Sequence, residues 1–595
     1  MIEVDFDLID RNFQTVSNSK DFLILNNSNA FYSNLEEGSR YQGFFVPFGS
    51  SMLKLIHKIH PSEDFAIKRI NHLGYKVIIE KKNSTESFFV PEKSSSLVYS
   101  NSQANSQITL DIKNIFDNRV FGRFYNISSQ KGKTIIFFKK LTAKADNDAG
   151  DDELEYQCYL VINSEFSDGK KWQNFKFNYD QSRNSMPFER YMLVLGTFPL
   201  KEIVITFGKD LNKAILENDY ISKNIMKLEK NSQNTIKSIK KEYSTDNKLN
   251  MAYNLSQLYL NLLSCDKGIT AGLPWFFQPW TRDELISLKS SMQIKGIDYG
   301  KRRLFYLIKE ISIDGRLASI RKSDFFCIDS IGWLFRLSYL FLTVYKTELT
   351  KEEMLSLKGI LQKFGDKFIV SHLKNSLISN GPKETWMDSL AREGPRIEVQ
   401  ALLLNILEVM KLITKDTKYL KLQQDIYDNI KKVFFDGNSL FDGSEDKTIR
   451  NNVFLAYYLD KRILKTDEWE IVFKNSLEKL WLDWGGIATI DKTNLAFIPS
   501  HTGEIPSSYH NGDSWFFMNH IAAIAMIKLN KTLFAPYIKK IINASIQSML
   551  EKGCLGCLSE LSSASTLLAQ GCPLQAWSLA TFIEMMDFAK SEKVL

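Results

Sequence analysis

The chain has 595 residues, 44% of them hydrophobic and 24% charged, which excludes an intrinsically disordered protein and leaves room for two domains, one of them large. The net charge of +7 is dispersed, with lysines alternating with acids through most helical stretches, so it reads as solvated helix faces and not as a nucleic-acid footprint. No apolar run reaches membrane-spanning length and Met1-Ile-Glu-Val-Asp-Phe-Asp7 is no apolar leader, so a cytoplasmic protein whose six cysteines are free thiols is expected.

From residue 1 to 208 the chain offers short β-branched or alternating runs separated by Asn, Ser, Gly and Asp clusters. They are Phe22-Leu-Ile-Leu25, Tyr75-Lys-Val-Ile-Ile79, Gln107-Ile-Thr-Leu-Asp-Ile112, Thr134-Ile-Ile-Phe-Phe138, Tyr159-Leu-Val-Ile162, Tyr191-Met-Leu-Val-Leu195 and Glu202-Ile-Val-Ile-Thr-Phe207. This pattern predicts an antiparallel β-sandwich over 1–208. The acidic segment 143–152 reads as a mobile loop within it. His57 and His60 lie in an ordinary amphipathic stretch without a third metal ligand in view. Trp172 is the one tryptophan of ten in this part, so aromatic binding equipment is expected elsewhere.

The period becomes helical at Leu211. A lysine-rich amphipathic stretch to Tyr243 predicts a linker helix within 209–245. Over 246–595 twelve helices are predicted, starting near Lys248, Arg282, Tyr299, Ile328, Lys351, Arg396, Lys418, Asn451, Glu468, Gly512, Phe534 and Leu574. Ile397–Met410 is apolar most of the way round, as a buried inner helix would be, whereas Leu420–Lys432 keeps a charged face. Such alternation describes a double-layered (α/α)6 barrel, and no fixed-length repeat supports a solenoid.

The unusual residues fall between these helices, where a barrel carries its functional loops. Ala271-Gly-Leu-Pro-Trp-Phe-Phe-Gln-Pro-Trp-Thr-Arg-Asp283 is stiffened by prolines, offers the faces of Trp275 and Trp280, and ends in Arg282-Asp283, a pair able to bond vicinal hydroxyls. Asp283 would equally serve as a first-turn acid of the next helix. Lys383-Glu-Thr-Trp-Met-Asp388 and Leu558-Ser-Glu560, the latter followed by Gly571-Cys-Pro-Leu-Gln-Ala-Trp-Ser578, each set a carboxylate beside aromatic or small residues. Glycosidic cleavage needs a protonated acid on one side and a base or nucleophile on the other, with aromatic faces for the sugar ring. Trp386 would also serve as a plain core anchor. Tyr509-His-Asn-Gly-Asp-Ser-Trp515 is a further polar and aromatic turn, or simply a helix-entry loop capped by Asn511 or Asp513. Cys554-Leu-Gly-Cys557 with Cys572 lacks a fourth ligand at zinc-finger spacing and reads as buried thiols.

Together these segments resemble the amylo-α-1,6-glucosidase part of glycogen debranching enzymes and, more distantly, other α/α-barrel glucosidases including glucoamylases. The resemblance spans about 245–590 and rests on Ala271–Phe276 with Arg282-Asp283, Asp329-Ser-Ile-Gly-Trp333, Glu384–Asp388, Glu398-Val-Gln-Ala-Leu402, Tyr509–Gly512 with Trp515, and Ser559-Glu560 before Gln575-Ala-Trp577. Tyr41-Gln-Gly-Phe-Phe45 extends it weakly to a family β-sandwich. The resemblance implies inverting hydrolysis of an α-1,6-linked glucose, with Asp388 as proton donor and Glu560 as the base that activates water. It implies that Arg282 and Asp283 hold glucosyl hydroxyls, that Trp275, Trp333, Trp386 and Trp515 shape the pocket, and that Glu398 and His510 contribute to substrate binding, with Trp280 on the same loop as Trp275. Thr281 replaces the family's usual glycine, the stretch from Asp388 to Glu398 is short, and Leu403-Leu404 stand where relatives carry aromatics, so a glucoamylase-like exo-α-1,4-glucosidase and a non-catalytic glycan-binding protein remain alternatives. The expected partner is an α-glucan or branched oligosaccharide. Acid–base hydrolysis of this kind calls for no metal or organic cofactor. Oligomeric state leaves no readable mark in the sequence.

Overall fold

The computed structural model describes residues 1–594 except 10, 36, 142–154, 168 and 322. The acidic segment 143–152 therefore lies outside the described residues. Contacts divide the chain into two units, one comprising Met1–Cys265, Leu273–Phe277 and Met549–Cys557, the other Asp266–Gly272, Gln278–Ser548 and Leu558–Leu595.

The first unit is built on a ten-stranded and a seven-stranded sheet. Pairing is antiparallel except that Ile2–Asp7 runs parallel to Ile67–His72. All seven predicted strands form. Alternating residues turn inward, and the two sheets meet through aromatic rings: Phe88 of one lies 4.6 Å from Tyr32 and 5.4 Å from Phe22 of the other. The sequence reading missed long strands of mixed polarity, above all Ser51–Pro61. Its Lys54 is fully buried, paired with Asp111 at 3.1 Å, while Arg190 donates to the same carboxylate at 2.8 Å, so a lysine in a strand did not mark a solvent face. Gly43 begins the strand Gly43–Phe48 at φ +112°, where a Cβ would stand 1.9 Å from the Ile56 carbonyl oxygen. The helix Leu211–Ile239, capped by the Asp210 carboxylate, packs Ile221, Ile225 and Leu228 against Phe89, Val98 and Val204 of the larger sheet.

In the second unit six helices touch in a closed cycle: Thr281–Lys295, Asp329–Thr343, Ile397–Thr414, Asn452–Leu459, Phe516–Asn530 and Ala576–Ser591, the last returning to the first. Between them in sequence run Ile297–Lys309, Lys351–His372, Thr417–Phe434, Thr466–Leu480 and Ala535–Gln547, each packed on the outside of an inner neighbour. This is the (α/α)6-barrel arrangement. The remaining predicted helix forms as Asn247–Leu263 and groups with the first unit. Inner and outer helices differ as their sequences do. Every residue from Phe516 to Ile527 is buried, whereas Thr417–Phe434 buries only Tyr419, Gln423, Ile426, Ile430 and Phe434, one stripe at helical spacing. The helix placed near Gly512 begins instead at Phe516, because Ser514–Trp515 first pair as a short strand with Leu561–Ser562. Among the described residues no helix is long and apolar enough to cross a membrane, and none of the six cysteines is in a disulfide.

Candidate active site

Each inner helix brings a polar or aromatic group at its start. Arg282 and Asp283 stand in the first turn of Thr281–Lys295, Asp329 opens Asp329–Thr343, Glu398 is in the first turn of Ile397–Thr414, and Asn452 opens Asn452–Leu459. Trp515 immediately precedes Phe516–Asn530, and Trp577 lies in the first turn of Ala576–Ser591. Helix N-termini carry partial positive charge, so this end of the barrel suits carboxylates.

Arg282 is the hub. It donates to Asp388 Oδ2 at 3.2 Å, faces Asp329 Oδ2 at 3.6 Å, and lies 5.8 Å from the centroid of the Trp577 ring. Asp283 accepts from Gln575 Nε2 at 3.1 Å. Glu560 receives a donor on each oxygen, the Tyr509 hydroxyl at 2.5 Å and the Cys572 backbone N–H at 3.0 Å. The small sheet formed by Ser514–Trp515, Leu561–Ser562 and Ala569–Gln570 holds Glu560 beside both. Gly571 completes this fit, since at φ +65° a Cβ there would stand 2.4 Å from Glu560 Oε2.

Asp388 comes from the loop joining Leu377–Asn380 to Gly394–Pro395. Asn380 Nδ2 closes the loop by donating to the Arg392 carbonyl at 2.6 Å, and Arg392 Nη1 donates to the Thr385 hydroxyl at 3.1 Å. One residue before Asp388, Met387 is fully buried, and Trp386 Nε1 donates to Asn452 Oδ1 at 2.7 Å. Trp386 meets His510, Trp515 and Phe517 edge-on at 5.3, 5.6 and 5.2 Å, and His510 stacks flat on Trp515 at 5.0 Å while its Nδ1 pairs with the Ser389 hydroxyl at 2.6 Å.

The electrostatics follow from four crowded carboxyl groups, of which Asp283, Asp329 and Asp388 share the Arg282 guanidinium. Burial pushes Asp283 up to about 7 and Glu560 up to about 8; the Tyr509 and Cys572 donors pull Glu560 back, and Asp283 and Asp388 push it further. Asp388 and Asp329 are also raised, by burial first, with Arg282 opposing in both. The group cannot ionise fully in so little solvent, so it retains protons at neutral pH, and the titrations belong to the cluster as a whole. Asp388 keeps 25% of its side chain exposed, whereas Glu560, Asp283 and Asp329 are buried, so Asp388 is the carboxyl most open to an incoming molecule. His510 is held well below its usual range by burial and by Arg450, Arg392 and Arg282, which keeps its ring neutral.

Of the residues singled out in the sequence, Arg282, Asp283, Trp386, Asp388, His510, Trp515 and Glu560 form this one constellation. Asp283 is both a first-turn acid and a cluster member, and Trp386 is both a core anchor and a wall. Glu398 stands behind it in a buried ion network: Arg392 Nη2 donates to Glu398 at 3.0 Å and to Asp442 at 2.8 Å, and Asp442 also receives Arg396 and Asn452. Trp333 is buried in the second turn of its helix, and Trp280 precedes Thr281–Lys295, its carbonyl accepting from the Glu284 N–H at 2.8 Å. Trp275 belongs to the first unit, where its ring lies 5.1 Å from Tyr41 and under the Arg183 guanidinium at 4.0 Å. Asp329, Tyr509, Gln575 and Trp577 were not singled out as site residues; each lies inside a segment that was, so its place in the motif was the available signal. Leu403 and Leu404 are buried in the core, so they contribute packing where aromatics were missed.

The ion network behind the loop has a testable role. Asp442→Asn would leave Arg392, Arg396 and Arg450 facing one another in the interior, and we expect a loss of about 3–5 kcal/mol in unfolding free energy. An unchanged urea midpoint would show that the network contributes nothing to stability.

A family model described as amylo-alpha-1,6-glucosidase matches residues 218–584, more than half of the chain. A bacterial glucoamylase complexed with acarbose shares the fold at a TM-score of 0.64 and 14% identity, over 97% of this chain and 94% of that one. A mannosylglycerate hydrolase from Thermus thermophilus in complex with Tris aligns at a TM-score of 0.43 and 12% identity, over 56% of this chain and 99% of its own. Among curated proteins, none matches this sequence significantly.

Proposed function

Since the chain belongs to the amylo-alpha-1,6-glucosidase family and is a glycoside hydrolase, we propose that it releases glucose from α-1,6 branch points of glycogen-like α-glucans by inversion. Asp388 gives its proton to the leaving-group oxygen. Glu560 takes a proton from the attacking water, and Arg282 and Asp283 hold the glucosyl hydroxyls. Trp386, Trp515 and His510 wall the glucosyl site, and Trp280, Trp333 and Glu398 support it. The catalytic domain is 246–595, preceded by the sandwich 1–208 and the helical linker 209–245, and the enzyme acts in the cytoplasm.

The observation that carries this reading is the unequal setting of the two carboxyl groups. Both oxygens of Glu560 accept hydrogen bonds, which favour the anion a base must be and offset part of the burial that pushes the group up to about 8. Asp388 stands partly open, with burial favouring its protonated form. Inversion places such a pair roughly 6.5–9.5 Å apart with a water between.

The second reading, an exo-α-1,4-glucosidase, is favoured by the fold shared with the bacterial glucoamylase. The two separate on substrates. Purified enzyme is incubated with a dextrin bearing single α-1,6-glucosyl branches and, in parallel, with maltotriose. Debranching predicts faster glucose release from the first; faster release from maltotriose would replace it with the α-1,4 reading. The freshly released glucose should be the β-anomer, and the α-anomer would refute inversion.

A further inference from the structure

At the far ends of three inner helices the structure has a cavity. Its volume is about 520 Å³, and it opens where Asn452–Leu459, Phe516–Asn530 and Ala576–Ser591 finish. Asn452, Trp515 and Trp577, at the opposite ends of these helices, belong to the carboxyl site. The fifteen residues of Phe516–Asn530 separate the two by roughly 20 Å along the axis.

Buried Tyr458, Leu459 and Ile527, with half-buried Phe588, form an apolar floor, and exposed Lys461 and Lys528 stand on the rim. The lining acids are already taken. Asp460 accepts Arg462 Nε and Nη2 at 2.9 and 2.7 Å and the Tyr427 hydroxyl at 2.8 Å, and Glu592 faces Lys531 at 3.7 Å. Lys461 and Lys528 have no ion-pair or side-chain hydrogen-bond partner among the described residues. The Lys528 ammonium lies 5.2 Å from the ring centroids of both Tyr458 and Phe588. A helix C-terminus favours cations, which accounts for lysines at this end. It does not account for two lysines without an ion-pair partner, one of them over the Tyr458 and Phe588 rings, around a cavity within the size range of ligand pockets.

We propose that this cavity binds a small phosphorylated organic molecule, with Lys461 and Lys528 receiving the phosphate and the organic body lying on Tyr458 and Phe588. Ammonium groups serve phosphate as point charges. The apolar floor adds affinity that inorganic phosphate cannot exploit.

Calorimetric titration of the full chain with glucose 6-phosphate, inorganic phosphate and glucose tests this. The hexose phosphate is expected to bind more tightly than inorganic phosphate. The Lys461→Gln/Lys528→Gln double variant should weaken it by about tenfold or more, the factor for one lost charge-assisted bond, with glucan turnover unchanged. Phe588→Leu provides a second arm and should weaken the hexose phosphate but not inorganic phosphate. Absence of hexose phosphate binding, binding untouched by the double variant, or full competition by glucose, which would place the ligand in the carboxyl site, would each overturn the assignment. The readout is binding and therefore independent of which glycosidic linkage the enzyme cuts.

Discussion

Asp388→Asn is expected to lower kcat on the glucan by about 10²–10⁴-fold, the usual range for a lost general acid, with the fold intact. Asparagine keeps the shape and can still accept the Arg282 hydrogen bond, so the hub is undisturbed. What it lacks is a proton to give. A substrate whose leaving group departs without protonation bypasses that step, so turnover of α-glucosyl fluoride should fall far less than turnover of the glucan. Wild-type Asp388 must be protonated to act, so kcat/KM should decline as pH rises through its titration, and this alkaline limb should vanish in the variant. Equal losses on fluoride and glucan would remove Asp388 from the role of acid.

Glu560→Gln should be comparably severe on the glucan, and here the fluoride offers no relief, because the attacking water still needs a base. Glutamine can keep both neighbours by turning its carbonyl to the Cys572 N–H and its amide to the Tyr509 oxygen, so loss of activity would not reflect a collapsed loop. The pH dependence has a definite sign. Glu560 is pushed up to about 8, so the basic form gains as pH rises, and the acidic limb of kcat/KM should reflect this group, coupled to Asp283 and Asp388. Stability runs the other way. A carboxyl whose folded value lies above its unfolded one holds its proton more tightly when folded, so the protein loses stability as pH rises from about 4.5 towards 8. The variant removes that liability, and its melting temperature should exceed the wild type's at pH 9 and approach it at pH 4. A Glu560→Gln protein that melts below wild type at pH 9 would contradict the buried, proton-retaining cluster.

Much of the architecture was readable before any coordinates because burial and periodicity are linked. Ile397–Met410 is apolar most of the way round because it sits in the inner ring, and Thr417–Phe434 has a charged face because it sits outside. Strands of mixed polarity escaped. Ser51–Pro61 carries Lys54 into the interior, where the Asp111 carboxylate and the Arg40 carbonyl hold its ammonium. Among site residues, those standing in motifs with paired acids and aromatics were legible. Tyr509 was not, since a tyrosine in a turn has no special meaning until its hydroxyl is seen on Glu560.

That a strand-rich region is followed by alternating inner and outer helices, and that Asp388 and Glu560 sit in suggestive company, was legible along the chain, because those properties are local and repeat with the period of the backbone. Which residues share one electrostatic environment emerges from the packing of the helices. Asp329 and Asp388 are separated from Arg282 and from each other by dozens of residues yet share its guanidinium, and Glu398, equally suggestive in sequence, is drawn into a different ion network by Arg392. Charge interactions act through space, so their strength depends on distances and burial that no spacing along the chain records.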